Sequence, residues 1–117
     1  MTVFNAYYMI LELKLPTIRE IELENNMVSD KVVIKNPTGL HLRPAGLFCK
    51  TAMQYKSKIT VYKKMKNEEV NANAKSVLSV LGACIKSGDE ITIICEGEDE
   101  ETALSDMVQL VKDGLGE

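Results

Sequence analysis

The 117-residue sequence contains no tryptophan, and its four tyrosines and two phenylalanines make it only 5% aromatic. Such scarcity argues against a stacking platform for single-stranded nucleic acid. A surplus of positive charge is also missing: 14 basic residues stand against 17 acidic ones, for a net charge of −3. General nucleic-acid binding needs a basic footprint that this total does not supply. Cysteine is scarce and odd in number, at positions 49, 84 and 95, with no C-x-x-C pair. That argues against a disulfide framework or a zinc site, and predicts buried, reduced thiols in a cytoplasmic protein. The longest apolar stretch, residues 4–15, holds Glu12 and Lys14. It is too short and too charged to insert into a membrane, and it lacks the basic start and cleavage site of a signal peptide. No internal repeat, P-loop or nucleophile elbow is present. The acidic run 96–101 lacks the alternating-acid pattern of a calcium loop; acids at a helix start explain it more simply.

What is present fits one globular domain, at 45% hydrophobic and 26% charged residues. The charge is unevenly distributed along the chain. Residues 31–75 carry ten basic and two acidic side chains, whereas 76–117 carry two basic and ten acidic. Either both halves are evenly solvated, or the surface is dipolar and steers an acidic partner to one face. Residues 1–26 contain no glycine and end in a polar stretch, so a boundary is expected at 25–27. This reading gives an N-terminal extension over 1–26, accessory or disordered, and a folded domain over 27–117.

Within the domain, strands and helices alternate. A strand is expected at 31–35, ended by the turn cluster Asn36-Pro37-Thr38-Gly39. A helix follows over 44–55, with Ala45, Phe48, Cys49, Ala52 and Tyr55 on one stripe. Two strands, 59–62 and about 70–74, flank a polar hairpin tip at 63–67. A helix over 76–85 places Val77, Val80, Leu81, Cys84 and Ile85 on one stripe, with Gly88 ending it. The strand 91–95 is so continuously apolar that burial on both faces is expected. A last helix opens at Asp99-Glu100-Glu101, and its stripe is Ala103, Leu104, Met107, Val108 and Val111. The order β-α-β-β-α-β-α predicts an α+β fold, with three helices on one face of a four-stranded, mostly antiparallel sheet.

The only histidine is His41. A lone histidine near a loop reads first as a polar surface residue, but its neighbours suggest more. Pro44 suits the first turn of a helix and pushes the preceding residue out of helical geometry. His41 then falls at or just before the N-cap, facing unpaired N–H groups and the positive end of the helix dipole. Arg43 adds a permanent cation. A neutral imidazole nitrogen is a competent nucleophile near pH 7. Such surroundings suit a phosphoryl group carried on that imidazole and then passed on.

The run Gly39-Leu40-His41-Leu42-Arg43-Pro44-Ala45 resembles the active-site motif of the HPr family, the histidine-containing phosphocarriers of the phosphoenolpyruvate-dependent sugar phosphotransferase system. Asn73-Ala74-Lys75-Ser76-Val77-Leu78 resembles the family's regulatory-serine segment. Residues 87–93 and 96–101 resemble its last strand and the start of its last helix, so the likeness runs in order from about 27 to 116. The resemblance implies an HPr-like open-faced β-sandwich and a carrier rather than an enzyme, with no cofactor and no metal. It implies that His41 accepts a phosphoryl group on Nδ1 from phosphorylated Enzyme I and donates it to enzyme IIA domains. Arg43 would contact that group and Pro44 would fix the loop.

Ser76 reads from position alone as an N-cap hydroxyl. The resemblance adds phosphorylation by an HPr kinase/phosphorylase, and binding of a transcriptional regulator in the manner of HPr-like Crh. Roughly −2 of added charge there would weaken docking of acidic partners. Leu78 lies off its helix stripe and Leu81 at its edge; the resemblance places both in an apolar docking patch that Leu42 and Leu47 extend. Partial core burial is the alternative, and applies more to Leu81. Lys50, seven residues after Arg43, shares its helix face and extends a positive rim. Four features depart from the family pattern: Leu42 replaces a frequent alanine, Cys84 stands where many relatives have glycine, the 62–70 hairpin is longer than usual, and residues 1–26 have no counterpart.

Overall fold

The computed structural model describes residues 27–117. The expected extension over 1–26 lies outside the described residues. The elements are β1 (Met27–Val33), α1 (Leu42–Ala52), β2 (Lys58–Lys64), β3 (Glu69–Asn73), α2 (Val77–Gly82), β4 (Glu90–Glu96) and α3 (Glu100–Lys112). Four strands form one sheet in the order β1-β4-β2-β3, and every neighbouring pair is antiparallel. The expected element order and α+β class are therefore present.

Alternation fixes which face is covered. Val32, Ile59, Val61, Ala72, Ile91, Ile93 and Cys95 point to the helix side and are buried. They meet Ala45, Phe48, Cys49 and Ala52 of α1, Val80 of α2, and Ala103, Met107, Val108 and Val111 of α3. The helix stripes read from the sequence thus face the core, except for Cys84 at the end of the α2 stripe. Fully burying a side chain the size of Phe48 is worth roughly 1.5–3 kcal/mol.

The remaining differences arise at element ends. β1 starts at Met27 rather than 31, because its whole length pairs with β4, from Met27 opposite Glu96 to Val33 opposite Glu90. The polar residues Ser29, Asp30 and Lys31 hide that strand from an apolar-run reading. α1 stops at Ala52, and Gln54 and Tyr55 donate to Thr51 and Ala52 in tighter i→i+3 turns. α2 is only Val77–Gly82. It ends where Ala83 and Cys84 donate to Val80 and Leu81, and Cys84 turns into the left-handed region at φ 53°.

This early stop corrects two expectations. Cys84 leaves the helical stripe and is exposed, so only Cys49 and Cys95 are the buried thiols anticipated. Gly88 lies in the turn before β4 rather than at the helix end. β4 is also not buried on both faces. Ile91, Ile93 and Cys95 are buried, but Thr92 and Ile94 are half-exposed on the other face, where Ile94 lies between Ser29 and Thr60.

Candidate functional site

The loop before α1 is built from the turn cluster. Gly39 donates to the Asn36 carbonyl at 3.2 Å. Asn36 is buried, and its Nδ2 donates to the Gly39 carbonyl at 2.8 Å. Gly39 has φ 67°, and a Cβ there would lie 2.7 Å from the Ile85 carbonyl oxygen and 2.8 Å from Lys86 Cα. Only glycine allows so close a backbone approach. Leu40 then donates to the Ile85 carbonyl at 3.0 Å, and the next residue is His41.

His41 is the N-cap of α1, in extended geometry at φ −77° and ψ −177°. Its carbonyl accepts from Ala45 at 2.8 Å, but its side chain makes no capping bond. The exposed imidazole is therefore not used to hold the helix. The helix begins at Leu42, two residues before the expected start at 44, so Pro44 occupies its third position. That position lacks an intrahelical acceptor, so the missing proline N–H costs little. Of the four first-turn positions, only Leu42 and Arg43 then have a backbone N–H free of the helix ladder. Pro44 itself is buried and anchors the turn.

Arg43 is exposed and lies beside a feature that no motif announces. The Glu117 carboxylate accepts from Asn36 Nδ2 at 3.0 Å, from the Thr38 N–H at 3.2 Å, and from Thr38 Oγ1 at 2.7 Å. The Thr38 hydroxyl, then Asn36, hold this carboxyl below its ordinary range, and the Arg43 charge adds to the effect. Arg43, Leu47, Leu115, Gly116 and Glu117 line a depression of about 420 Å³. Asn36, Thr38 and Glu117 form a cluster before α1 that the sequence did not single out. The only signal was that Asn36 and Thr38 belong to the turn cluster; nothing in spacing links Glu117 to residues about 80 positions earlier.

Ser76 is the N-cap of α2, and its hydroxyl accepts from the Ser79 N–H at 3.2 Å. Ser79 Oγ in turn accepts from the Asn73 N–H at 2.9 Å, closing the turn into the helix. Leu42 and Leu78 are strongly exposed at 64% and 83%, with Leu47 at 36%. Leu81 is instead packed against the core, as its place at the stripe edge allowed. Lys50 is exposed in the last turn of α1. Met53, not anticipated, caps that helix and is exposed as well.

Among the described residues, no group of three His, Cys, Asp or Glu side chains is placed to hold a metal ion, and no helix is long and apolar enough to cross a membrane. Asp99, within the acidic run, is occupied as an acceptor from the Lys56 and Ser57 N–H groups and the Ser57 hydroxyl.

Comparison with known proteins places this geometry in a family. The family model described as PTS HPr component phosphorylation site matches residues 28–113. The HPr-like protein Crh of Bacillus subtilis is 36% identical over 87 residues, covering 74% of this chain and 98% of that protein. The phosphocarrier protein HPr of Borreliella burgdorferi is 36% identical over 86 residues, covering 74% and 95%. The crystal structure of HPr-C-His from Thermoanaerobacter tengcongensis superposes with a TM-score of 0.67 at 38% identity, covering 77% of this chain and 97% of that one. On sequence and fold together, the chain belongs to the HPr family of phosphotransferase-system phosphocarriers.

Proposed function

We propose that His41 is the phosphoryl-carrying residue, accepting from phosphorylated Enzyme I and donating to sugar-specific enzyme IIA domains. The observation that carries this reading is the exposed, uncommitted imidazole of the α1 N-cap, two residues from Arg43. A ring nitrogen, Nδ1 by family likeness, forms a bond to phosphorus as the bond to the donor protein breaks. The same bond breaks when the group moves to the acceptor. The Leu42 and Arg43 N–H groups and the Arg43 guanidinium favour the extra negative charge. Pro44 fixes the start of the helix. Leu42, Leu47 and Leu78, with Lys50 at the rim, form the docking surface for these partners, and Leu81 supports it from the core side. The carrier domain is 27–117, with 1–26 as an accessory extension, and the chain works in the cytoplasm.

Ser76 is the regulatory position in this proposal. Its phosphorylation by an HPr kinase/phosphorylase adds charge beside Leu78 and disfavours acidic partners. Likeness to Crh supports a second reading, in which phosphorylated Ser76 and a transcriptional regulator are the main business of the chain. A purely regulatory protein has no need of an uncommitted histidine at that helix start.

Mass spectrometry after incubation with phosphoenolpyruvate and Enzyme I tests the carrier role. An acid-labile phosphate that disappears in His41→Ala is expected. Its absence in the wild type, or persistence in the variant, overturns the reading. Kinase and ATP should give an acid-stable phosphate that Ser76→Ala abolishes.

A further inference from the structure

Lys63 occupies a position where the strand pattern calls for an apolar residue. It follows Ile59 and Val61 on the helix side of β2, and it is 8% exposed. A buried ammonium is tolerated only when its charge and its donors are satisfied. Here Nζ donates to Asp89 Oδ2 at 2.7 Å and to the Cys84 carbonyl at 3.1 Å. Those partners are the two ends of one short segment, residues 84–89.

That segment is the platform on which the histidine loop rests. From its middle, Ile85 accepts from Leu40, and Lys86 and Ser87 crowd against Gly39. At its far end, Ile34 donates to the Asp89 carbonyl at 2.9 Å and accepts from Gly88 at 2.6 Å. The Asp89 carboxylate also accepts from the Lys86 N–H at 2.8 Å, so the charge that binds Lys63 closes the turn internally. At the near end, Cys84 is held at φ 53°, a conformation that persists in a non-glycine residue only where its surroundings fix it. The Lys63 bond to its carbonyl supplies such a restraint.

We propose that Lys63 is a positioning residue for phosphoryl transfer: it pins both ends of residues 84–89 and thereby sets the loop that presents His41. This rests on the carrier role of His41. The hydrogen bonds of Lys63 go to Cys84 and Asp89, not to the imidazole or to the surface around Leu42 and Leu78. Its effect therefore falls on the geometry of transfer rather than on partner binding. Misplacing a reacting group by about 1 Å can cost up to about a hundredfold in rate.

The test compares wild type, Lys63→Met and Lys63→Arg, with Tyr55→Phe as a stability control. That last change removes the Tyr55–Asp106 hydrogen bond between the α1 end and α3, away from the loop. Transfer from Enzyme I is measured where circular dichroism shows every variant folded, alongside amide exchange at Leu40. Lys63→Met should lower kcat about tenfold with KM for the carrier unchanged, and should speed Leu40 exchange. Lys63→Arg should recover most of the rate, and Tyr55→Phe should alter neither readout.

Wild-type kcat and Leu40 exchange in folded Lys63→Met overturn the proposal. So does a loss confined to KM, or an equal loss in Tyr55→Phe. If Lys63→Met does not fold, Asp89→Asn replaces it, with the same direction expected and unchanged kcat and exchange overturning the proposal. Should the wild type accept no phosphate on His41, the carrier reading fails, and with it the positioning role.

Discussion

Cys84 illustrates what a single residue reveals in sequence and what it conceals. As a departure from the family's frequent glycine it was visible at once; its φ of 53° supplies the physical reason that glycine suits the position. A side chain in the left-handed region costs roughly 1–2 kcal/mol, partly offset by the greater unfolded-state freedom of glycine. Cys84→Gly should therefore raise the unfolding free energy by up to about 1 kcal/mol in urea titrations. An unchanged or lowered midpoint would show that Cys84 makes compensating contacts. His41, Arg43 and Pro44 were legible because their chemistry and spacing are local to one helix start. Glu117 was not, because only folding brings its carboxylate to Thr38 and Asn36. Lys63 was hidden because the hairpin tip was expected to start at 63; β2 runs on to Lys64, and its alternation after Ile59 and Val61 turns Lys63 inward.

Among the elements, α2 shows why ends are harder to read than middles. Its stripe was clear, yet the helix is only six residues long because Cys84 leaves helical geometry. In so short a helix each capping bond is a large share of the whole. Removing the Ser76 hydroxyl should cost about 1 kcal/mol of global stability, read from thermal or urea unfolding of Ser76→Ala. A loss near zero would mean that the Ser79–Asn73 bond alone holds the turn. β4 carries a similar lesson. Its apolar continuity suggested a doubly buried strand, but central position in a one-sided sheet explains it equally well. Ile91, Ile93 and Cys95 face the helices, and Ile94 rests among cross-strand neighbours.

For the whole molecule, the sheet order rearranges the charge pattern. Residues of the basic and acidic halves of the sequence become neighbours in the sheet. Strand β4, from the acidic half, pairs on one side with β1 and on the other with β2 from the basic half. Lys63 meets Asp89 across that division, and Glu117 is brought beside Arg43. Three carboxyls in such arrangements are held below their ordinary range: Asp89 mainly by the Lys63 hydrogen bond, Asp99 mainly by Ser57, and Glu117 mainly by Thr38. A folded-state pKa below the unfolded one gives stability that is fully present above the unfolded pKa. That stability is lost as pH falls through the folded value. Thermal midpoints should therefore vary little in this respect above about pH 5 and decline as pH falls below about 4. Asp89→Asn should shallow that decline. A midpoint that rises on acidification from pH 5 to 3 would contradict the assignment.

Sequence alone determined the class of fold, the element order, the helix faces and the histidine at a helix start. All of these follow from local rules of periodicity, capping and turn chemistry, which act within a few residues. Tertiary structure decided where each element stops, which lysine is buried, and which carboxylate binds Thr38 and Asn36. Those outcomes depend on backbone pairing and packing between segments far apart in the chain. Lys63 and residues 84–89, or Glu117 and Thr38, become neighbours only when the sheet and its loops have closed.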